Sequence, residues 1–297
     1  MPGECCRFHV EAVMSRHSLA AILSRPRDFL GTEFIYAVVS QRAGGLSIGI
    51  NLNPEKKCNF DCVYCEVKNP ETHRERQVDL AVLSKELRNV LTLLQLGKFR
   101  ELPGFAQTPP ELMVLKNVTI SGNGEPTLCP NFHQAVQEVV RIRQVPQYPA
   151  FKLVLITNGT GLHLSGVQEA LKLFSEGDEV WIKLDAGTQI YMTQVNRTRF
   201  PMETVLNNIR VVGVWRPVVI QSLFCSIQGE GPSDLEIEQY VQRLADLVCK
   251  GTKIRLVQIY SAVREPAGAG CGHLPLARLS YIARRVREGA GLRAEVY

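Results

Sequence analysis

From residue 34 onward, short runs of β-branched and aliphatic residues alternate with longer stretches in which apolar positions recur every three or four residues. The short runs read as strands over residues 46–52, 117–121, 152–157, 179–184, 218–224 and 253–259. The longer stretches carry the helical period. Leu80, Leu83, Leu87, Val90, Leu91 and Leu94 follow the first run, and Phe132, Ala135, Val136, Val139 and Val140 follow the second. Val167, Ala170, Leu171 and Phe174 come next, then Met202, Val205, Leu206 and Ile209 behind Pro201, a residue suited to a first helical turn. A fifth helix opens on Ser233 and Glu236, the spacing of a capping box, and continues through Ile237, Tyr240, Val241, Leu244, Leu247 and Val248. Alternating β and α units predict a parallel sheet, and six units predict a partial (β/α)6 barrel rather than the eight-unit form.

Residues 34–45 read as an extra strand and turn leading into the first barrel strand, and the proline-rich stretch 97–116 reads as an insertion or lid. The expected organisation is one domain: an N-terminal extension over 1–33, a core over 34–264, and a basic helical extension over 265–297. A chain of 297 residues, 45% hydrophobic and 21% charged, has the composition of a soluble globular protein. No apolar run reaches the roughly 20 residues of a membrane span, and charges interrupt the N-terminal apolar positions, so a cytoplasmic location is expected. The net charge of +5 is modest. Arg278, Arg284, Arg285, Arg287 and Arg293 crowd the C-terminus, where they form either a phosphate-contacting face or a solvated helix surface.

In a reducing compartment, nine cysteines are more readily ligands, catalysts or packed thiols than disulfides. Cys58, Cys62 and Cys65 stand within "KKCNFDCVYCEV". Cysteine usage alone would produce such a three-cysteine pattern about 0.01 times in this chain. Structural zinc calls for four ligands, and no second pair is present, since Cys129, Cys225, Cys249 and Cys271 are scattered and His73 is the one nearby histidine downstream. A Cys-x2-Cys dithiol would leave Cys58 without a part. A cubane iron-sulfur cluster uses three thiolates on three irons and leaves the fourth iron open.

Cys-x3-Cys-x2-Cys with the aromatic Tyr64 before the last cysteine resembles the motif of the radical S-adenosylmethionine (SAM) superfamily. "SGNGEPTL" after the second strand resembles that superfamily's GGE element, with Gly122, Asn123, Gly124 and Glu125 at the strand end. The resemblance implies a single 4Fe-4S cluster held by Cys58, Cys62 and Cys65. It also implies SAM bound by the 122–125 backbone, the Glu125 charge, Tyr64, Asn158, Lys183 and Asp185. Within the superfamily, stretches between Tyr36 and Arg264 resemble the branch of iron-sulfur oxidoreductases related to wyosine-type tRNA-modifying synthases. Archaeal members of that branch carry a second cysteine set, which Cys5 and Cys6 alone do not supply here.

The resemblance implies reductive cleavage of SAM to a 5′-deoxyadenosyl radical, with electrons from a flavodoxin- or ferredoxin-type reductant. Transfer RNA is one expected substrate class. A protein or small-molecule substrate is the alternative, and a non-catalytic electron-transfer protein is an alternative of another kind. Lys183 and Asp185 are expected as ligands in preference to a structural ion pair, because charges inside strands are costly. Gln221 and Gln258 are weaker candidates, equally readable as satisfied core amides. Cys249 reads as a packed thiol, and Cys225 and Cys271 are candidate hydrogen-atom donors or substrate handles at the barrel mouth.

Overall fold

Strand β1 (Ile35–Ser40) alternates buried and half-buried positions and turns back antiparallel onto β2 (Gly45–Ile50), whose six residues are all buried. This hairpin opens a sheet seen in the computed structural model, which describes residues 29–40, 42–67, 77–262 and 271–297. From β2 the sheet runs parallel through β3 (Leu115–Ile120), β4 (Lys152–Thr157), β5 (Glu179–Lys183), β6 (Val218–Leu223) and β8 (Ile254–Tyr260). These are the six strands expected from the sequence, displaced by a residue or two at their ends, and they make the expected partial (β/α)6 barrel.

Two additions escaped the pattern. β10 (Ala294–Val296) pairs parallel with β8 at the sheet's far edge. β7 (Cys225–Ile227) and β9 (Cys271–His273) form a separate antiparallel ribbon. Each is three residues long, too short to show a period, and becomes a strand only through its partner.

Seven α-helices are described: α1 (Leu80–Gln95), α2 (Phe132–Arg143), α3 (Ser165–Lys172), α4 (Gln189–Val195), α5 (Met202–Gly213), α6 (Asp234–Cys249) and α7 (Leu276–Ala290). Parallel strands covered on both faces lose the simple inside-outside alternation and read as continuous apolar runs. In β4, Leu153 and Leu155 join the main core with the helices, while Val154 joins Trp181 and Val219 in a small second cluster on the opposite face.

The capping box at α6 is only half made. Ser233 accepts from the Glu236 amide as expected, but the Glu236 carboxylate turns away to accept from Gly187 N, Thr188 N and Thr188 Oγ1, so it ties α6 to the start of α4. The 97–116 insertion is likewise pinned. Its Phe99 and Phe105 are buried against Phe29, with ring centroids 4.9 to 6.3 Å apart, and two 3-10 turns occupy Lys98–Glu101 and Pro110–Met113. Aromatic burial thus makes the segment an anchored insertion. Cys5, Cys6, His73 and Arg264 lie outside the described residues.

Candidate active site

The cysteine loop leaves β2 at Asn51 and is fastened from both sides. Asn51 Oδ1 accepts from the amides of Asn53 (3.2 Å) and Asn123 (3.1 Å). Asn53 Nδ2 donates to Glu125 O at 2.8 Å, Asn123 Nδ2 to Pro54 O at 2.9 Å, and Glu125 N to Lys57 O at 2.8 Å. The glycines of "SGNGEPTL" are required by this lacing. Gly122 adopts φ 155°, and a Cβ there would lie 2.4 Å from Asn51 Oδ1; a Cβ on Gly124 would lie 2.2 Å from Lys57 O. On the other side, Asp61 N donates to Asn196 O and Val63 N to Val195 O, while Thr198 Oγ1 donates to Asn59 O.

Cys58, Cys62 and Cys65 are free and only partly exposed on this loop. Asn196 Nδ2 donates to Cys62 Sγ at 3.3 Å, and Asn158 Nδ2 stands 4.0 Å from Cys58 Sγ. Burial, reinforced by the Glu125 charge, pushes the Cys58 thiol up to about 12; burial and Asp185 push Cys62 up to about 11. Such thiols do not ionise at neutral pH unless a metal compensates the charge. Among the described residues no three His, Cys, Asp or Glu side chains meet as ligands of a single ion. Three thiolates that each hold a different iron need not meet at one point, and amide donors aimed at sulfur are what tune a cluster, so this donor set fits a cubane and not a lone ion. Asn123 Oδ1, beside the loop, is a buried acceptor with no donor.

Glu125 was expected to lend its charge to SAM. The structure shows its carboxylate accepting from four protein donors: Thr127 N (3.1 Å), Thr127 Oγ1 (2.6 Å) and Thr157 Oγ1 (2.5 Å) at Oε1, and Asn158 N (2.7 Å) at Oε2. It therefore braces the ends of β3 and β4. Burial raises its pKa, opposed by these hydrogen bonds. Asn158 in turn donates to Asn59 Oδ1 at 2.8 Å, which places it against the cysteine loop.

Lys183 and Asp185 do form an ion pair, 2.9 Å long, with the Asp185 side chain 1% and the Lys183 side chain 14% exposed. Asp185 also accepts from Leu223 N, Asn196 Nδ2 and the Tyr64 hydroxyl. Lys183 donates to Tyr260 Oη at 2.9 Å and lies against the rings of Tyr64 and Tyr260. Burial works to lower the Lys183 pKa, but Asp185 and Tyr260 more than offset it and hold it above the ordinary lysine value. Tyr64, expected as a cofactor contact, thus joins the last cysteine of the loop to this pair. Gln221 and Gln258 satisfy each other at 2.9 Å, both buried, as core amides.

Sequence reasoning missed Asn196, whose one side-chain amide reaches Cys62, Tyr64 and Asp185. Its signal was present in "VNRTRFP" immediately after α4, where an asparagine at a helix C-terminus reads as a cap. Tyr260 was missed because it closes β8 like any strand-end aromatic. Cys225 and Cys271 come together on the β7–β9 ribbon, and Cys249 is an exposed thiol at the end of α6, where a buried one was expected. The C-terminal arginines are engaged within the chain: Arg278 with Asp234, Arg285 with Glu238 and Glu288, Arg287 with Ala294 O and Arg293 with Glu295, while Arg284 lies over the Tyr281 ring. This is the charge-paired surface of a solvated helix.

An open α/β barrel whose first parallel strand runs into a loop of three free thiols has the fold of the radical SAM enzymes, and solved structures of that class share it. A radical SAM methyltransferase from Sphaerobacter thermophilus superposes with a TM-score of 0.60 at 15% identity, covering 89% of this chain and 68% of that one. Streptococcus suis SuiB bound to S-adenosylmethionine gives 0.57 at 13% identity over 86% of this chain and 52% of that one. TYW1 with a lysine-pyruvate adduct bound gives 0.51 at 15% identity over 84% and 74%. At these identities the likeness is one of fold.

In sequence, the chain is similar to a UPF0026 protein of Helicobacter pylori, 31% identical over 155 residues, which is 51% of this chain and 42% of that protein. It is also similar to a UPF0026 protein of Synechocystis sp., 28% identical over 180 residues, 59% of this chain and 58% of that protein. The chain thus matches about half of the length of these relatives. No protein-family model matches it.

Proposed function

We propose that this protein is an enzyme that binds one 4Fe-4S cluster and SAM and cleaves SAM reductively. The observation that carries the reading is the cysteine loop itself: three free thiols after β2, laced to residues 122–125 on one side and to Asn196 and Asp185 on the other. Cys58, Cys62 and Cys65 would hold the cluster. When bound, it would supply the electron that breaks a sulfonium carbon-sulfur bond of SAM, releasing a 5′-deoxyadenosyl radical that takes a hydrogen atom from substrate. A flavodoxin- or ferredoxin-type protein would deliver that electron.

The chain's own part is binding, orientation and exclusion of water. Asn196 and Asn158 present N–H groups to the sulfurs of Cys62 and Cys58 and fix the loop. Asn123 Oδ1, an acceptor with no donor, suits a ligand cation such as the SAM ammonium. Lys183 suits a ligand carboxylate, which would share it with Asp185. Tyr64 keeps its proton, because burial and the Asp185 charge hold its pKa well above the ordinary tyrosine value, so its hydroxyl remains a donor to Asp185. Phe60, Met192, Met202 and Val205 line the inner side of Lys183 and Asp185 and leave a cavity of about 10 Å³ there, room for about one water.

Anaerobic reconstitution with iron and sulfide, followed by SAM titration into the reduced protein, tests the reading. The expected result is a cluster EPR spectrum that shifts as SAM is added. An unchanged spectrum from a fully loaded protein would overturn it and favour simple electron transfer.

A further inference from the structure

Cys225 and Cys271 are scattered in sequence and adjacent in space. On the β7–β9 ribbon Cys225 is opposite His273 and Ile227 opposite Cys271, so the two cysteines occupy diagonal positions on one face of the ribbon. Their thiols are within hydrogen-bonding reach of each other. Cys225 is fully buried, whereas Cys271 is partly exposed. Tyr191 from α4 lies within electrostatic range of both thiols, and its hydroxyl is buried with no hydrogen-bond partner. Cys225 follows Leu223 by two residues, and the Leu223 amide holds Asp185, so the pair sits beside the Lys183–Asp185 end of the barrel.

We propose that Cys271 and Cys225 form a thiol-disulfide site at the barrel mouth that reacts with low-molecular-weight disulfides. Cys271, the accessible sulfur, loses its proton and attacks one sulfur of the incoming disulfide, releasing one small thiol and forming a mixed disulfide. Cys225 then loses its proton and attacks the Cys271 sulfur, releasing the second small thiol and closing the protein disulfide. Two protein thiols have given up two electrons, and one small disulfide has become two thiols. Diagonal positions on an antiparallel ribbon stand about 7–8 Å apart at Cα, beyond the roughly 4.4–6.8 Å that a disulfide spans. Closure therefore requires a small shift, which a ribbon with three residues in each strand and a glycine at 272 accommodates.

Closure would staple the chain after β6 to the chain before α7, and so fix the ribbon beside Asp185. Burial keeps Cys225 protonated, with Cys271 adding to the effect, which explains why it is assigned the second step and not the first. The site goes beyond the SAM reading and does not depend on it.

The test is peptide mapping of the full-length protein after anaerobic incubation with oxidised glutathione. Cys225 and Cys271 fall in separate tryptic peptides, residues 211–243 and 265–278, each holding no other cysteine. The expected result is a cross-linked pair of these peptides that dithiothreitol separates. Cys225→Ser should stop the reaction at a glutathione adduct on Cys271, and Cys271→Ser should leave Cys225 reacting roughly tenfold more slowly, as buried thiols do. A wild-type protein in which the Cys271 adduct accumulates without closing, or in which Cys271 pairs with a different cysteine, would overturn the proposal. If either variant fails to fold, the wild-type map decides alone. No SAM is present, so failure here and failure of the SAM reading are separate results.

Discussion

At the scale of single residues, the site rests on a few side chains that each answer to several partners. Asp185 accepts from three donors and neutralises Lys183. Asp185→Ala strands a buried ammonium, and the expected cost is about 3–5 kcal/mol in chemical denaturation. The Lys183 pKa is raised in the folded protein. The stability Lys183 contributes is therefore whole below the unfolded lysine value, about 10.4, and drains away as pH climbs through the folded value. The stability difference between wild type and Lys183→Met should accordingly hold steady from pH 8 to 10 and narrow only above that. Asn196→Ala removes the amide shared by Cys62, Tyr64 and Asp185 and should cost about 1–3 kcal/mol, with lower iron content after reconstitution. The cysteines were legible in sequence because three like residues at a fixed spacing are improbable by accident. Asn196 was not, because an asparagine at the end of a helix reads as a cap and two of its three partners lie far off in sequence, and Glu125 looked like a free charge because sequence does not show the four donors around it.

At the scale of elements, the six parallel strands were legible from their apolar runs and five helices from their period, since each buries a face against neighbours that share it. What escaped was either short or defined by a partner: α4, the β7–β9 ribbon and β10. The 122–125 turn is the clearest case of two elements fixing one another, with Gly124 packed on the backbone of the cysteine loop. Gly124→Ala pushes a methyl group into Lys57 O and the Asn53 side chain, where no flexible side-chain tip can yield. A loss of about 1–3 kcal/mol in thermal or chemical unfolding is expected, together with poorer cluster loading. Unfolding and iron content indistinguishable from wild type would show that the loop and the turn are not coupled in this way.

At the scale of the whole molecule, the barrel is open: β1 borders one edge and β10 the other, and the helices cover one face of the sheet. No described helix is long and apolar enough to cross a membrane. The basic C-terminus, which in sequence read first as a solvated helix face and second as a nucleic-acid surface, is a helix whose arginines are mostly paired within the chain. Replacing Arg284, Arg285 and Arg287 with Ala should therefore change any tRNA binding and its salt dependence little, because residues already paired release few counterions on binding, while it loosens the packing of α7 against α6 and β10. Filter binding at two salt concentrations checks this; a clearly flatter salt slope in the variant would place RNA on α7.

Whether the cysteine loop of the open barrel serves SAM cleavage is read from the 5′-deoxyadenosine formed by the anaerobically reconstituted protein with SAM and dithionite. 5′-Deoxyadenosine is expected from wild type and none from Cys58→Ala, Cys62→Ala or Cys65→Ala, each folded by circular dichroism. A wild-type protein with a full cluster that forms none would contradict it.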